Sequence, residues 1–92
     1  MKKRVHVFYS GRVQGVGFRM TAEETAQAFG VVGWVKNLRD GRVEMVAEAE
    51  EPILNRFLNA IHSGPMKNFI QQVDVSWSNA VGTFEEFEIR YY

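Results

Sequence analysis

Three glycines within seven residues, Gly11, Gly15 and Gly17, stand just ahead of Arg19 in the stretch GRVQGVGFR, residues 11–19. Glycine accepts positive φ and lets the backbone approach a ligand closely, so such a run can turn several N–H groups toward one point. A point ringed by N–H groups attracts an anion. The amides of Gly15, Val16, Gly17, Phe18 and Arg19, aided by the positive end of a following helix, suit a tetrahedral oxyanion. Arg19 adds a planar fork that pairs with two oxygens at once, and phosphate is the anion that fits best. Nucleotide motifs are absent: GVGFRM fails G-x-G-x-x-G at its last position, and no G-x-x-x-x-G-K-S/T occurs.

The elements that must position this loop follow from the hydrophobic pattern. Residues 4–10 alternate, with Val5, Val7 and Tyr9 on one face and His6 and Phe8 on the other, which predicts a strand. Phe18, Ala22, Thr25, Ala26 and Phe29 stack on one face of a helix that Gly30 ends. VVGWVKN reads as a second strand, Asp40 and Gly41 as a hairpin turn, and RVEMVAEAE as the returning strand. Pro52 opens a second helix whose buried stripe is Ile53, Leu54, Phe57, Leu58 and Ile61, and SGP at 63–65 ends it. FIQQVDVSW sets Val73, Val75 and Trp77 against Asp74 and Ser76. FEEFEIRYY sets Phe87, Ile89 and Tyr91 against Glu86, Glu88 and Arg90.

The order β-α-β-β-α-β plus a C-terminal strand predicts an α+β, ferredoxin-like two-layer sandwich, with two helices on one face of an antiparallel sheet. In that topology the first two strands run parallel with the third between them, so both end at one sheet edge. Two strand spacings, roughly 10 Å, then separate the glycine loop from Asn37. Arg19, the loop amides and Asn37 can therefore face one small ligand.

Composition narrows the classes. Ninety-two residues predict a single domain, 1–92. Eleven basic against eleven acidic residues leave no global field for nucleic acid or an anionic membrane, so an anion site must be local. The absence of cysteine removes disulfides, thiolate ligands and a cysteine nucleophile. Without an apolar leader or a long apolar run, the expectation is a cytoplasmic monomer. No His/Cys/Asp cluster with ligand spacing lies near the loop, so neither a metal nor a cofactor is expected. His6 and His62 read as structural, Trp34 and Trp77 as core or sheet-face aromatics, and Glu44, Glu48, Glu86 and Glu88 as solvated strand faces. Thr21 to Glu24 matches a capping box only by accident if the helix starts near Phe18.

Two stretches, GRVQGVGFR and GWVKNLRDGRVE, resemble the signature segments of the acylphosphatase family, and the element order extends the resemblance over essentially all 92 residues. The resemblance implies hydrolysis of the carboxyl-phosphate bond of acyl phosphates without a metal, releasing a carboxylate and inorganic phosphate, which as product also competes for the site. It implies a phosphate loop at Gln14, Gly15, Val16, Gly17, Phe18 and Arg19, with Arg19 as phosphate ligand and Asn37 positioning the water. SGPMKNF departs from the family's usual text, which leaves substrate preference open. Chemistry by exclusion agrees: no cysteine is present to form a phosphoenzyme, and both histidines lie far from the loop in the pattern. Such a reaction needs positioning and electrostatics, with the water's proton passing to a substrate oxygen.

Other readings compete on the residues alone. The glycines can make a tight turn and Asn37 can simply shape the hairpin. A ferredoxin-like sheet can also bind RNA, against which stand Glu44, Glu48 and the zero net charge, or bind an anion without catalysis. A carbamoyl-phosphate-handling domain of a larger maturation enzyme is disfavoured by the single-domain length.

Overall fold

A computed structural model describes residues 1–91; Tyr92, which the alternation places in the last strand, lies outside the described residues. The elements are β1 (Lys2–Gly11), α1 (Phe18–Phe29), β2 (Val32–Asn37), β3 (Val43–Glu50), α2 (Glu51–Ser63), a short 3-10 turn at Lys67–Phe69, β4 (Ile70–Asn79) and β5 (Phe87–Arg90). They form one five-stranded sheet in the order β4-β1-β3-β2-β5. β1 and β2 each pair antiparallel with β3, so they run parallel and end at the same edge, as the element order requires. The expected antiparallel sheet holds for four strands. The fifth pairs parallel with β2, which makes the sheet mixed.

The core lies between one sheet face and the two helices. Val5, Val7 and Tyr9 of β1, Val35 of β2 and Val43, Met45 and Ala47 of β3 meet Phe18, Ala22 and Ala26 of α1 and Leu54, Phe57 and Ile61 of α2, all buried. Strict alternation decides this, because a side chain two residues along returns to the same face. On β2 the helix-facing set is Gly33, Val35 and Asn37, so Asn37 continues the buried row past the end of the core. Gly33 is required where it stands. A Cβ there would lie 1.9 Å from the Val46 carbonyl oxygen, and its φ of +143° is one that L side chains rarely adopt.

Coverage fails at one edge. Val75 and Trp77 face the helix side of β4, yet they are 37% and 44% exposed, because β4 is an edge strand and α2 does not reach across it. On the open face Trp34 is half-buried beneath the cationic ends of Lys36 and Arg90, and Arg42 lies over Phe8.

Glu48 corrects the sequence reading. Rather than forming a solvated strand face it is 2% exposed, and Glu44, read with it as solvated, is half-buried with its Oε2 2.6 Å from His6 Nε2. Glu48 Oε2 accepts from Arg4 Nε at 2.7 Å and from the Val81 amide at 3.0 Å, and its Oε1 accepts from the Gly82 amide at 3.1 Å. The location explains this. β4 and β5 lie at opposite edges of the sheet, about 19 Å apart over four strand spacings, and the chain between them must cross the end of the sheet that Glu48 guards. Burial raises the Glu48 pKa, but the hydrogen bonds from Val81, Arg4 and Gly82 outweigh it, so the group sits below its ordinary value of 4.5.

A carboxylate with a depressed folded pKa contributes stability that is fully present above 4.5 and is lost as pH falls through the folded value. His62 has the matching sign at higher pH, since burial lowers its pKa and its contribution fades as pH drops below 6.5. Urea unfolding across pH should therefore show stability falling in two stages. Glu48→Gln should lower stability at pH 7 by about 1–3 kcal/mol and flatten the stage below pH 4.5. An unchanged acid limb in that variant would remove Glu48 from the account.

Candidate active site

Chain order alone makes a cleft at the edge where β1 and β2 both end. After Gly11 the backbone leaves the sheet, and Val13 drops into the core with no exposed surface. Gly15 and Gly17 then take φ of 77° and 81°. Space does not demand glycine here, since a Cβ at either position would meet nothing within 4 Å. The left-handed backbone does. Gly17 is the N-cap of α1 and, lacking a side chain, forms no capping hydrogen bond; the first turn also holds no acidic residue. The first intrahelical bond returns from the Thr21 amide to the Gly17 carbonyl at 3.0 Å. The amides of the opening turn are thus left for a ligand, and the Thr21–Glu24 capping-box match is accidental.

The cleft encloses about 160 Å³ and is lined by Val13, Gly15, Gly17, Phe18, Arg19, Met20, Asn37, Ile89 and Tyr91. Of the residues read from the sequence, Gly15, Gly17, Phe18, Arg19 and Asn37 meet there. Val16 packs against the core instead. Gln14 turns away. Its Nε2 donates to the carbonyls of Leu38 at 2.7 Å and Arg42 at 2.9 Å, tying the loop to the β2–β3 hairpin. Only its backbone amide remains for a ligand.

Asn37 carries the most informative polar atom of the site. Its Oδ1 is buried and has no hydrogen-bond partner, alone in that respect among the described side chains. A buried acceptor left without a donor costs roughly 1–3 kcal/mol, so it marks a place where a donor belongs. The hairpin turn does not use it. That turn is held by the Leu38 amide on the Arg42 carbonyl at 2.8 Å and by Asp40 Oδ1 accepting from the Arg42 amide at 3.1 Å.

Two supports of the site escape a sequence reading. Tyr91 places its ring 4.9 Å from the Arg19 guanidinium carbon, a cation–π distance that steadies the fork. It reaches Arg19 because β5 runs parallel to β2 and so ends at the cleft edge, a pairing that alternation cannot announce. Behind the cleft, the Tyr9 ring packs 4.8 Å from that of Phe18, and Tyr9 Oη lies 2.9 Å from His62 Nε2. With the imidazole neutral, the hydroxyl donates. Burial pushes the Tyr9 pKa far above the phenol range and lowers that of His62, which keeps both neutral.

Fold and cleft together define a small α+β protein with a cleft, lined by Gly15, Gly17, Arg19 and Asn37 among others, at the edge where parallel strands end. Comparison with known proteins sharpens this. The family described as Acylphosphatase matches residues 5–89. An acylphosphatase of Roseiflexus sp. strain RS-1 is 46% identical over 86 residues, 94% of this chain and 92% of that one. One of Salinibacter ruber is 43% identical over 97% and 94%. The crystal structure of acylphosphatase from Bacillus subtilis superposes with a TM-score of 0.90 at 36% identity, covering 97% of this chain and 99% of the other. The chain belongs to the acylphosphatase family and is a hydrolase.

The Gln14 tether yields a test. In Gln14→Leu both carbonyls keep other donors, the Leu38 amide on Arg42 and the Gly41 amide on Leu38, so stability should fall by only about 1 kcal/mol. The loop loses its anchor, and inorganic phosphate should bind about tenfold more weakly. Calorimetric titration and thermal unfolding check this, and wild-type affinity would show that the tether does not shape the anion site.

Proposed function

We propose that the chain hydrolyses the carboxyl-phosphate bond of acyl phosphates by direct attack of water on phosphorus, without a metal or covalent intermediate. The observation that carries this reading is the unpartnered Oδ1 of Asn37, a residue that lines the same cleft as Arg19 and the uncapped start of α1. The phosphoryl group sits on the amides of Gln14, Gly15, Val16, Gly17, Phe18 and Arg19, with the Arg19 fork across two of its oxygens. These donors neutralise charge on the phosphoryl oxygens where it must be held through the transition state.

Water donates one O–H to Asn37 Oδ1, which aims its lone pair at phosphorus opposite the leaving group. A P–O bond forms as the P–O bond to the acyl group breaks, and the carboxylate departs with the electron pair. It needs no general acid, because a carboxylate is a weak base. The water's proton passes to a phosphoryl oxygen, a route supported by the lining, which contains no carboxylate and no imidazole. The donor chemistry gives a metal no seat either: no group of three His, Asp or Glu side chains suited to one occurs among the described residues.

Inorganic phosphate, as product, competes with substrate for the loop. No helix among the described residues is long and apolar enough to cross a membrane, and with no cysteine needing oxidation the reading places a monomeric enzyme in the cytoplasm.

Turnover of benzoyl phosphate should persist in EDTA, with competitive inhibition by phosphate. Arg19→Lys keeps the charge and loses the fork, and should raise KM about tenfold or more. Asn37→Ala should lower kcat about 100-fold while leaving phosphate inhibition within about twofold. It removes a buried acceptor that has no partner, so the melting temperature should not fall. A destabilised but fully active Asn37→Ala protein would make the residue a turn former and nothing more.

A further inference from the structure

Behind the cleft, one polar contact ties the sheet to the end of α2. Tyr9 has no exposed surface, and its hydroxyl has a single hydrogen-bond partner among the described residues, His62 Nε2 at 2.9 Å. The imidazole stands edge-on to the phenol ring, with centroids 5.4 Å apart. The same phenol ring packs 4.8 Å from that of Phe18, which opens α1 and lines the cleft. A chain of touching rings thus runs from the last turn of α2 to the uncapped first turn of α1.

The bond between Tyr9 and His62 has one workable direction. With the imidazole neutral, the hydroxyl donates and Nε2 accepts. An imidazolium carries a proton on both nitrogens and accepts nothing, so the phenol proton would be stranded in the core without an acceptor, which is costly. Acid can force this choice, because His62 is only half-buried and the last turn of a helix favours a cation. No neighbouring charge intervenes. Of the elements packed against α2, β1 offers Tyr9 and β3 turns only apolar residues to this face. The charged residues of α1 (Arg19, Glu23, Glu24), of the 3-10 turn (Lys67) and of α2 itself (Glu51, Arg56) form no hydrogen bond or ion pair with His62, and burial alone lowers its pKa.

We infer that Tyr9 and His62 are a positioning pair for the anion site, and that protonating His62 loosens the first turn of α1 and so weakens anion binding. The inference rests on the amide cradle proposed above and deepens it by naming what regulates it. Displacing the Tyr9 ring relieves the stranded proton, and that ring does not move without Phe18, whose backbone amide is one of the cradle's donors. At neutral pH the imidazole is uncharged with or without the anion, and the pair is undisturbed. An imidazolium acting only through its charge would strengthen anion binding instead, so the sign of the effect tells the two apart.

Sulfate is the probe, since it keeps its charge between about pH 5.5 and 7.5, where histidine titrates, and phosphate does not. Calorimetric titration of the wild type should show sulfate bound about fivefold more weakly at the lower pH than at the higher. Coupling is reciprocal, so saturating sulfate should move the His62 imidazole titration, followed by NMR, to lower pH by the same factor. His62→Gln keeps an oxygen that accepts from Tyr9 at every pH and should abolish the dependence. His6→Asn, on the opposite sheet face beside Glu44, should retain it. Circular dichroism at both pH values checks the fold. Wild-type affinity that is constant or rises on acidification, or a dependence that survives in His62→Gln, would overturn this inference and leave the cradle standing. Sulfate that fails to bind at the higher pH, or binds without moving the amide resonances of Gly15 to Arg19, would overturn the cradle and this inference with it.

Discussion

The two hydrogen bonds from Gln14 Nε2 to the carbonyls of Leu38 and Arg42 fasten together parts of the site that come from separate elements. The amide loop belongs to the β1–α1 connection, whereas Asn37 belongs to the end of β2, two strands away. Each neutral bond contributes only about 0.5–1.5 kcal/mol to stability, so their importance is not mainly thermodynamic. On the hydrolytic reading proposed above, they set the distance between a bound anion and the asparagine. The proposed reaction relies on alignment, with no carboxylate or imidazole in the lining, and is on that reading more sensitive to that distance than to any single contact. The Val13 plug works in the same direction by seating the loop in the core from below.

A second line of control starts at the opposite end of the sheet. Glu48 captures the amides of Val81 and Gly82 as the chain crosses from one sheet edge to the other. That crossing brings β5 to lie parallel with β2, aided by the bond from the Gly33 amide to the Glu86 carbonyl at 3.0 Å. The end of β5 then delivers Tyr91 onto Arg19. A buried carboxylate at one end of the molecule thus helps to orient the guanidinium at the other. The link is a rigid strand, so it requires no conformational switch.

Much of this was legible in the sequence, and the reasons are specific. Alternation in β1 and β3 and the 3.6-residue stripe of α2 named the core, because both periodicities follow from where Cβ points. Gly15, Gly17, Arg19 and Asn37 were recoverable because the topology forces parallel strands to end together. Glu48 was misread as solvated because an alternating pattern gives its face but not what later crosses that face. Alternation set Val75 and Trp77 on one face of their strand but left open whether that face is covered, because it does not say how far two helices extend over five strands; both are exposed. Tyr91 and the Gln14 tether depended on a parallel pairing and on side-chain reach, neither of which has a local signal.

The central claim is that the anion is held by backbone amides from residues 14–19 while Asn37 stands outside that cradle. Titration of the 15N-labelled protein with inorganic phosphate, followed through its amide resonances, tests this directly. The account predicts saturable shifts at the backbone amides of Gly15, Val16, Gly17, Phe18 and Arg19 and at the Arg19 side chain, all giving one dissociation constant. Those of β4 and α2 should not move. Saturable shifts centred elsewhere, or a loop that stays silent while phosphate binds, would contradict it.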